Sequence, residues 1–249
     1  MKQDIHKHPR SRQTAKERHR RQKGAGGPSR TLIVVGIVGL ALAFVGVLIA
    51  SSGPNPFAPA ATVVAITPFP RPEANQNATG DPNAPVKIDE YSDFQCPACL
   101  SFSKETERSI VEQYVVTNKV YFVYHTMGEW IGPESAAAAE AAYCAGDQGR
   151  FWDYHDILFD NWTGENVGAF SSQRLQAFGE ALGLKMDEFR TCLDNHKYAN
   201  RVAQDKVEGE KLGVKYTPTF YINGKQIIGA QSFTSFQQEI EAALAAAKQ

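Results

Sequence analysis

The chain is predicted to hold an α/β domain interrupted by a helical insertion and preceded by one transmembrane helix. Three observations predict it. An unbroken apolar run, Leu32 to Ala50, comes after a basic tail. Strand and helix patterns alternate over residues 86–124 and again from Thr219 to the end of the chain. Between them, residues 133–212 carry almost only helical patterns.

The near-neutral net charge of −1 conceals two opposed regions. Residues 1–30 contain ten Lys or Arg against two acids, Asp4 and Glu17, leaving 16 basic and 25 acidic residues in 31–249. A basic arm alone would suit a nucleic acid, but it leads straight into LIVVGIVGLALAFVGVLIA, without a charged or strongly polar side chain. As a helix this run would span roughly 28 Å, the thickness of a bilayer's hydrocarbon core. The charge block before it would keep the tail cytoplasmic and export the rest. Residues 31–51 are therefore expected to be an uncleaved signal anchor, with no nucleic-acid partner for the tail. The rival is a cleaved signal peptide, whose apolar region should be about 7–15 residues with a cleavage site close behind. Here the Ala58-Pro59-Ala60 match lies ten residues past Ala50. No cysteine stands directly behind the run to carry a lipid anchor.

Residues 52–80 hold six prolines (Pro54, Pro56, Pro59, Pro68, Pro70, Pro72) and are expected to form an extended, semi-rigid spacer. From about Asp81 one domain of some 170 residues is expected, long enough for a sizeable core. Val86–Tyr91 reads as a strand. A helix should open at Pro97, whose missing N–H costs nothing in a first turn, and run to about Thr117. Val120–Tyr124 is β-branched and aromatic, hence a strand. The insertion, about 126–213, should contain an alanine-rich helix from Pro133 to near Gly146, then Phe151–Phe159, Gln173–Leu182, Asp187–Leu193 and Tyr198–Leu212. Gly183 and Gly213 stand at C-cap positions. Thr219–Ile222 and Lys225–Ile228 should form a hairpin through Asn223-Gly224. A last helix is expected from about Phe233 to Ala247.

All four cysteines, Cys96, Cys99, Cys144 and Cys192, fall in the exported part, where disulfides form and persist. Cys96-Pro97-Ala98-Cys99 comes directly after a strand and opens a helix, the context of a redox motif. The first thiol faces the free N–H groups of the helix N-terminus, which favour its thiolate. Cys96 is thus the candidate nucleophile and Cys99 the resolving thiol. Zinc would need two more ligands at suitable spacing, and no second C-x-x-C or H-x-x-x-H exists. His125, His155 and His196 are scattered singly. Glu90 lies six residues before Cys96, and Thr217-Pro218 opens the strand before the hairpin.

Lys87-Ile88-Asp89-Glu90-Tyr91-Ser92-Asp93-Phe94-Gln95-Cys96-Pro97-Ala98-Cys99 resembles the active-site stretch of the DsbA-like thioredoxin family. So does Gly213-Val214-Lys215-Tyr216-Thr217-Pro218-Thr219-Phe220-Tyr221-Ile222-Asn223-Gly224, and the helical block is similar to that family's insertion. The resemblance covers about residues 81–249 and implies a thioredoxin-like fold. It implies that Cys96 attacks, that Cys99 resolves the mixed disulfide, and that Pro218 is cis beside them. The Thr217 backbone would then pair with a substrate peptide. Glu90 would be the buried acid that shuttles the Cys99 proton, where the residue pattern alone also allows an edge-strand surface position. The family's best-known oxidase has Pro-His between its cysteines, whereas this chain has Pro97-Ala98. The resemblance therefore implies the reaction class and leaves oxidising power open.

Cys144 and Cys192 lie on different expected helices. A disulfide between them would close a loop of about 49 residues, worth roughly 4 kcal/mol in the chain-entropy model. Free buried thiols, or a second pair relaying electrons, are the alternatives. The expected function is a membrane-anchored thiol–disulfide oxidoreductase that forms disulfides in exported proteins. A membrane partner of the DsbB or vitamin-K-epoxide-reductase-like type would reoxidise it. The cysteine pair itself serves as redox group, so no metal, nucleotide or flavin cofactor is expected. An isomerase or reductase kept reduced by a membrane donor is one alternative; a non-catalytic extracytoplasmic chaperone or binding module is another.

Overall fold

The computed structural model describes residues 62–248. The basic tail, the expected membrane span and the first part of the spacer lie outside the described residues. Among the described residues no helix is long and apolar enough to cross a membrane.

A five-stranded sheet of order β1-β3-β2-β4-β5 organises the domain. Its strands are β1 (Ala78–Thr79), β2 (Val86–Ser92), β3 (Val120–Thr126), β4 (Thr219–Ile222) and β5 (Lys225–Ile228). β2 and β3 run parallel, joined by the helix that opens at Pro97, and the other pairings are antiparallel. That helix, α1, is α-helical over Pro97–Phe102 and Arg108–Ile110 but π-helical over Ser103–Glu107 and Val111–Val115. Insertions of this kind shift the face a helix presents and cluster at functional sites. The Asn223-Gly224 turn has φ of 45° and 86°, the left-handed pair that a two-residue hairpin needs.

Between β3 and β4 stand α2 (Pro133–Gly146), α3 (Phe151–Asp160), α4 (Ser172–Ala181), α5 (Met186–Asp194) and α6 (Ala199–Lys211). This is the predicted helical insertion. The last helix, α7 (Phe233–Ala246), packs Phe236 on Phe220 of β4 and on Phe102 of α1, with ring centroids 4.8 and 5.3 Å apart. The aromatic core continues through Phe94, Tyr124, Phe151, Trp152, Tyr154 and Phe159, all buried. On the other sheet face Tyr91, Met127 and Val214 form a smaller cluster. Gly209 of α6 lies so close there that a Cβ would stand 2.6 Å from the Met127 sulfur.

One boundary differs from expectation. The spacer is expected to reach residue 80, yet from Val63 the chain already packs on the domain. Val63, Ile66 and Phe69 lie against the main core. The Val64 N–H donates to Asn161 Oδ1 at 2.7 Å, and Asn161 Nδ2 donates back to the Val64 carbonyl at 3.0 Å. The prolines prevent regular structure but not docking, because an extended strap can still bury every second or third apolar side chain. Residues 78–79 even add β1 to the sheet edge, where the Trp152 indole N–H donates 3.0 Å to the Ala78 carbonyl.

Candidate active site

Cys96 is the N-cap of α1, with φ −75° and ψ 121°, which places its sulfur at the helix N-terminus near the first-turn N–H groups of Ala98 and Cys99. Its side chain is 7 % exposed, whereas Cys99, one turn further in, is fully buried. Both are free thiols in this structure. The Cys96 thiol is pulled down to about 6, chiefly by the Cys99 thiol and then, against the opposing effect of burial, by Thr217 and the Cys99 and Ala98 amides. Burial pushes the Cys99 thiol well up, and the Cys96 and Glu90 charges add to it. One cysteine is thus poised as thiolate and its neighbour as thiol. No histidine between them is needed for this, because the Cys99 thiol is the chief donor, with Thr217 and the first-turn amides behind it.

The loop before β4 closes the site. The Thr217–Pro218 peptide is cis, and Cys96 Sγ lies 3.4 Å from the Thr217 carbonyl oxygen. Thr219 Oγ1 donates to the Tyr216 carbonyl at 2.6 Å, pinning the turn, and Tyr216 itself is exposed.

Glu90 sits on the central strand β2, opposite Tyr124 on β3 and Phe220 on β4, and is 1 % exposed. An edge position is therefore ruled out. Burial holds its carboxyl well above the usual carboxylate range, and the Glu107 charge adds to this, partly offset by Ser92 and Arg71. Its neighbour Asp89 faces the other side and is held below the usual range. There burial is outweighed by His125, whose Nε2 is 2.8 Å away, and by Lys87. Two adjacent acids on one strand thus behave oppositely, one as a buried acid and one as a paired carboxylate.

The segment leading to Cys96 is tied to the insertion. Asp93 Oδ1 accepts from the Ser135 hydroxyl at 2.7 Å and from the Gln95 N–H at 2.7 Å. The Gln95 carbonyl accepts from the Trp162 indole at 2.9 Å, and its side-chain oxygen accepts from the Asn166 N–H at 2.6 Å. Asp93 and Gln95 belong to the stretch quoted for the family resemblance, whereas nothing in the sequence ties Ser135, Trp162 and Asn166 to the site.

Cys144 and Cys192 form a disulfide between α2 and α5, with sulfurs 1.99 Å apart. The structure thus brings Cys96, Cys99, Glu90, Thr217 and Pro218 into one site and keeps the second pair on separate helices. Two residues missed by sequence reasoning stand beneath the site: Arg71, from the expected spacer, and Glu107 of α1, which pair at 2.6 Å with both side chains buried.

A family model described as Thioredoxin matches residues 73–242. The chain is 33 % identical over 166 residues to Na(+)/H(+) antiporter NhaA 1 of Salinispora arenicola, covering 67 % of this chain but 24 % of that protein. It therefore spans about a quarter of that relative's length. It is 28 % identical over 173 residues to the probable disulfide bond formation protein D of Bacillus cereus, covering 68 % of this chain and 78 % of that one. The solved structure of oxidised BdbD from Bacillus subtilis superposes with a TM-score of 0.64 at 24 % identity, over 74 % of this chain and 98 % of that one. With a cysteine pair opening α1 and a helical block between β3 and β4, this chain belongs to the thioredoxin family.

Proposed function

We propose that the chain is a membrane-tethered thiol–disulfide oxidoreductase that forms disulfides in exported proteins. The observation that carries this is the split within one motif: a Cys96 thiol near 6 at a helix N-terminus, above a buried Cys99 thiol pushed well up. A client thiolate attacks Cys96 Sγ in the oxidised pair. The Cys96–Cys99 bond breaks, and Cys99 leaves as a thiolate that takes a proton from Glu90. A second client thiolate then attacks the client sulfur of the mixed disulfide, and Cys96 departs as its stabilised thiolate. The client gains a disulfide and the pair gains two electrons, which a membrane partner of the DsbB or vitamin-K-epoxide-reductase-like type removes. Thr217, next to cis-Pro218, offers the backbone for strand-like pairing with the client.

In this reading residues 1–30 stay in the cytoplasm, 31–51 anchor the chain, and the catalytic domain works outside the membrane. The apolar run and its basic flank support the tether. The Cys144–Cys192 bridge serves as a structural brace of the insertion.

Full-length Cys99→Ser tests the reading in cells. It should accumulate mixed disulfides with exported proteins, because Cys96 can still attack a client disulfide while no neighbouring thiol remains to reclaim Cys96 from the adduct, and should remain in the membrane fraction after alkaline extraction. Absence of covalent adducts would overturn the roles of the cysteines. A soluble product beginning near Ala61 would overturn the tether.

A further inference from the structure

Behind Cys96 three segments far apart in the sequence meet: residues 93–96, the turn of residues 131–135 that opens α2, and the loop of residues 161–171 between α3 and α4. Asp93, Gln95 and Ser135 are buried there, yet every polar atom of their side chains is paired. Asp93 takes the Gln95 N–H and the Ser135 hydroxyl on Oδ1, both at 2.7 Å, and the Ile131 N–H on Oδ2 at 3.2 Å. Gln95 Nε2 donates to Ser135 Oγ at 2.9 Å and to Asn166 Oδ1 at 3.2 Å, and Gln95 Oε1 accepts from the Asn166 N–H at 2.6 Å. A fully paired buried network favours one geometry, because a departure from it strands a polar group away from water.

The peptide between Gln95 and Cys96 is held at both ends. Its carbonyl accepts from the Trp162 indole at 2.9 Å, and its N–H donates to the Asp93 carbonyl at 3.0 Å. The peptide after Cys96 is held by α1, since the Cys96 carbonyl accepts from the Leu100 N–H at 3.0 Å. One rotation is left between them, about the Cα–C bond of Cys96, and it swings the amide nitrogen and Cβ together. Pro97 confines that rotation to a broad extended range, and ψ of 121° lies at one edge of it. Holding the preceding peptide fixes the rotation, and with it the direction in which the side chain leaves the backbone. The sulfur has to meet the Thr217 carbonyl oxygen, 3.4 Å away, as well as the Cys99 thiol and the Ala98 and Cys99 amides.

We propose that Trp162 and Asn166 are positioning residues for thiol–disulfide exchange: the loop between α3 and α4 aims the Cys96 sulfur by clamping the peptide that precedes it. Trp162 acts on that peptide directly, and Asn166 acts through the Gln95 side chain. The loop is itself seated on the start of α2, where the Glu134 carboxylate accepts from the Gly168 N–H at 2.7 Å and the Phe170 N–H at 2.9 Å. Asn166 Nδ2 donates to the Ile131 carbonyl at 3.3 Å. A Cβ on Gly132 would stand 2.2 Å from Asn166 Oδ1, so a side chain there would push the carboxamide off its partners. The helical insertion thus reaches the nucleophile through its backbone.

The inference rests on the redox reading for its meaning, whereas its test reads the Cys96 sulfur directly. In the reduced full-length protein in lipid nanodiscs, the rate of Cys96 alkylation by iodoacetamide is followed against pH, with the site confirmed by mass spectrometry. Trp162→Phe keeps an aromatic ring and removes only the donor. Its midpoint should lie above the wild-type midpoint by at least about half a pH unit, a threefold change in the ionisation constant. Gly132→Ala should raise the midpoint by less, because Asn166 acts one step further from the peptide. Neither variant alters Cys99 or Glu90, the titratable groups that interact with the Cys96 thiol, so a shift reports the placement of the sulfur. Midpoints that stay at the wild-type value in both variants, with only the melting temperature reduced, would make the network a packing feature and overturn the inference. Gly132→Ala removes no polar group, so it keeps the test open should Trp162→Phe fail to fold. Exchange of the wild-type protein with glutathione, measured in parallel, separates the two claims. No exchange with the midpoints shifted sinks the redox reading alone, and exchange with the midpoints unmoved sinks this inference alone.

Discussion

The two cysteine pairs are the same atoms in opposite settings. Cys96 caps the start of α1, where free N–H groups and the positive end of the helix dipole meet the sulfur. Cys144 and Cys192 each lie in the last turn of their helices, α2 and α5, at the negative end. Carboxylates surround the second pair: Asp147, Asp187 and Glu188 line the surface cleft of about 720 Å³ beside it, with Lys197 the one cation in that lining. Hydrogen-bond donors therefore face the Cys96 sulfur, whereas helix C-terminal carbonyls and carboxylates surround the second pair. Because exchange runs through thiolates as nucleophile and leaving group, we infer that this difference in setting makes Cys96–Cys99 the exchanging pair and leaves Cys144–Cys192 structural.

The most severe way to break the contrast is Cys96→Ser. It should cut exchange on the order of a thousandfold or more, since no other activated thiolate exists to attack; stopped-flow reduction of a disulfide peptide measures it. Retention of activity would transfer the chemistry to the second pair. The next test is pH. Alkylation of Cys96 in the reduced protein should rise through about pH 6 and level off above it. The folded-state value lies below the ordinary thiol range, so the dithiol form gains stability that is complete above that range and fades as pH falls through about 6. A midpoint near 8.5 would mean that neither the Cys99 thiol nor the first-turn amides stabilise the Cys96 thiolate. The mildest effect on exchange belongs to Cys144→Ala with Cys192→Ala. Losing the bridge should cost about 2–4 kcal/mol, on the order of 10 °C in melting temperature for a domain of this size, with most exchange activity retained. A folded double variant without activity would show instead that the bridge relays electrons.

Much of this is legible in the residues. Strand and helix patterns locate β2 to β5 and the insertion helices to within a residue or two, because each apolar stretch is bounded by clear start and stop signals. Gly183 and Gly213 do take left-handed φ, 67° and 86°, after α4 and α6. What escapes is chemistry made by docking. Arg71 sits among prolines, so neither period nor motif marks it, yet Val63, Ile66 and Phe69 around it bury against the core. The π turns of α1 leave no trace in a pattern of 3.6 residues, and they are what place Glu107. The strand context suggests Glu90 as a candidate, but its burial depends on β4 returning to cover β2, a pairing 130 residues distant in sequence along Glu90↔Phe220.

The central claim, that the local setting of each pair makes one exchange and leaves the other fixed, is tested most directly by graded reduction. The oxidised full-length protein is equilibrated with glutathione buffers of increasing reducing strength, quenched by alkylation and mapped by mass spectrometry. Cys96–Cys99 should open first, with Cys144–Cys192 still closed in buffers that leave the first pair wholly reduced. Opening of Cys144–Cys192 first, or of both pairs together, would contradict the account.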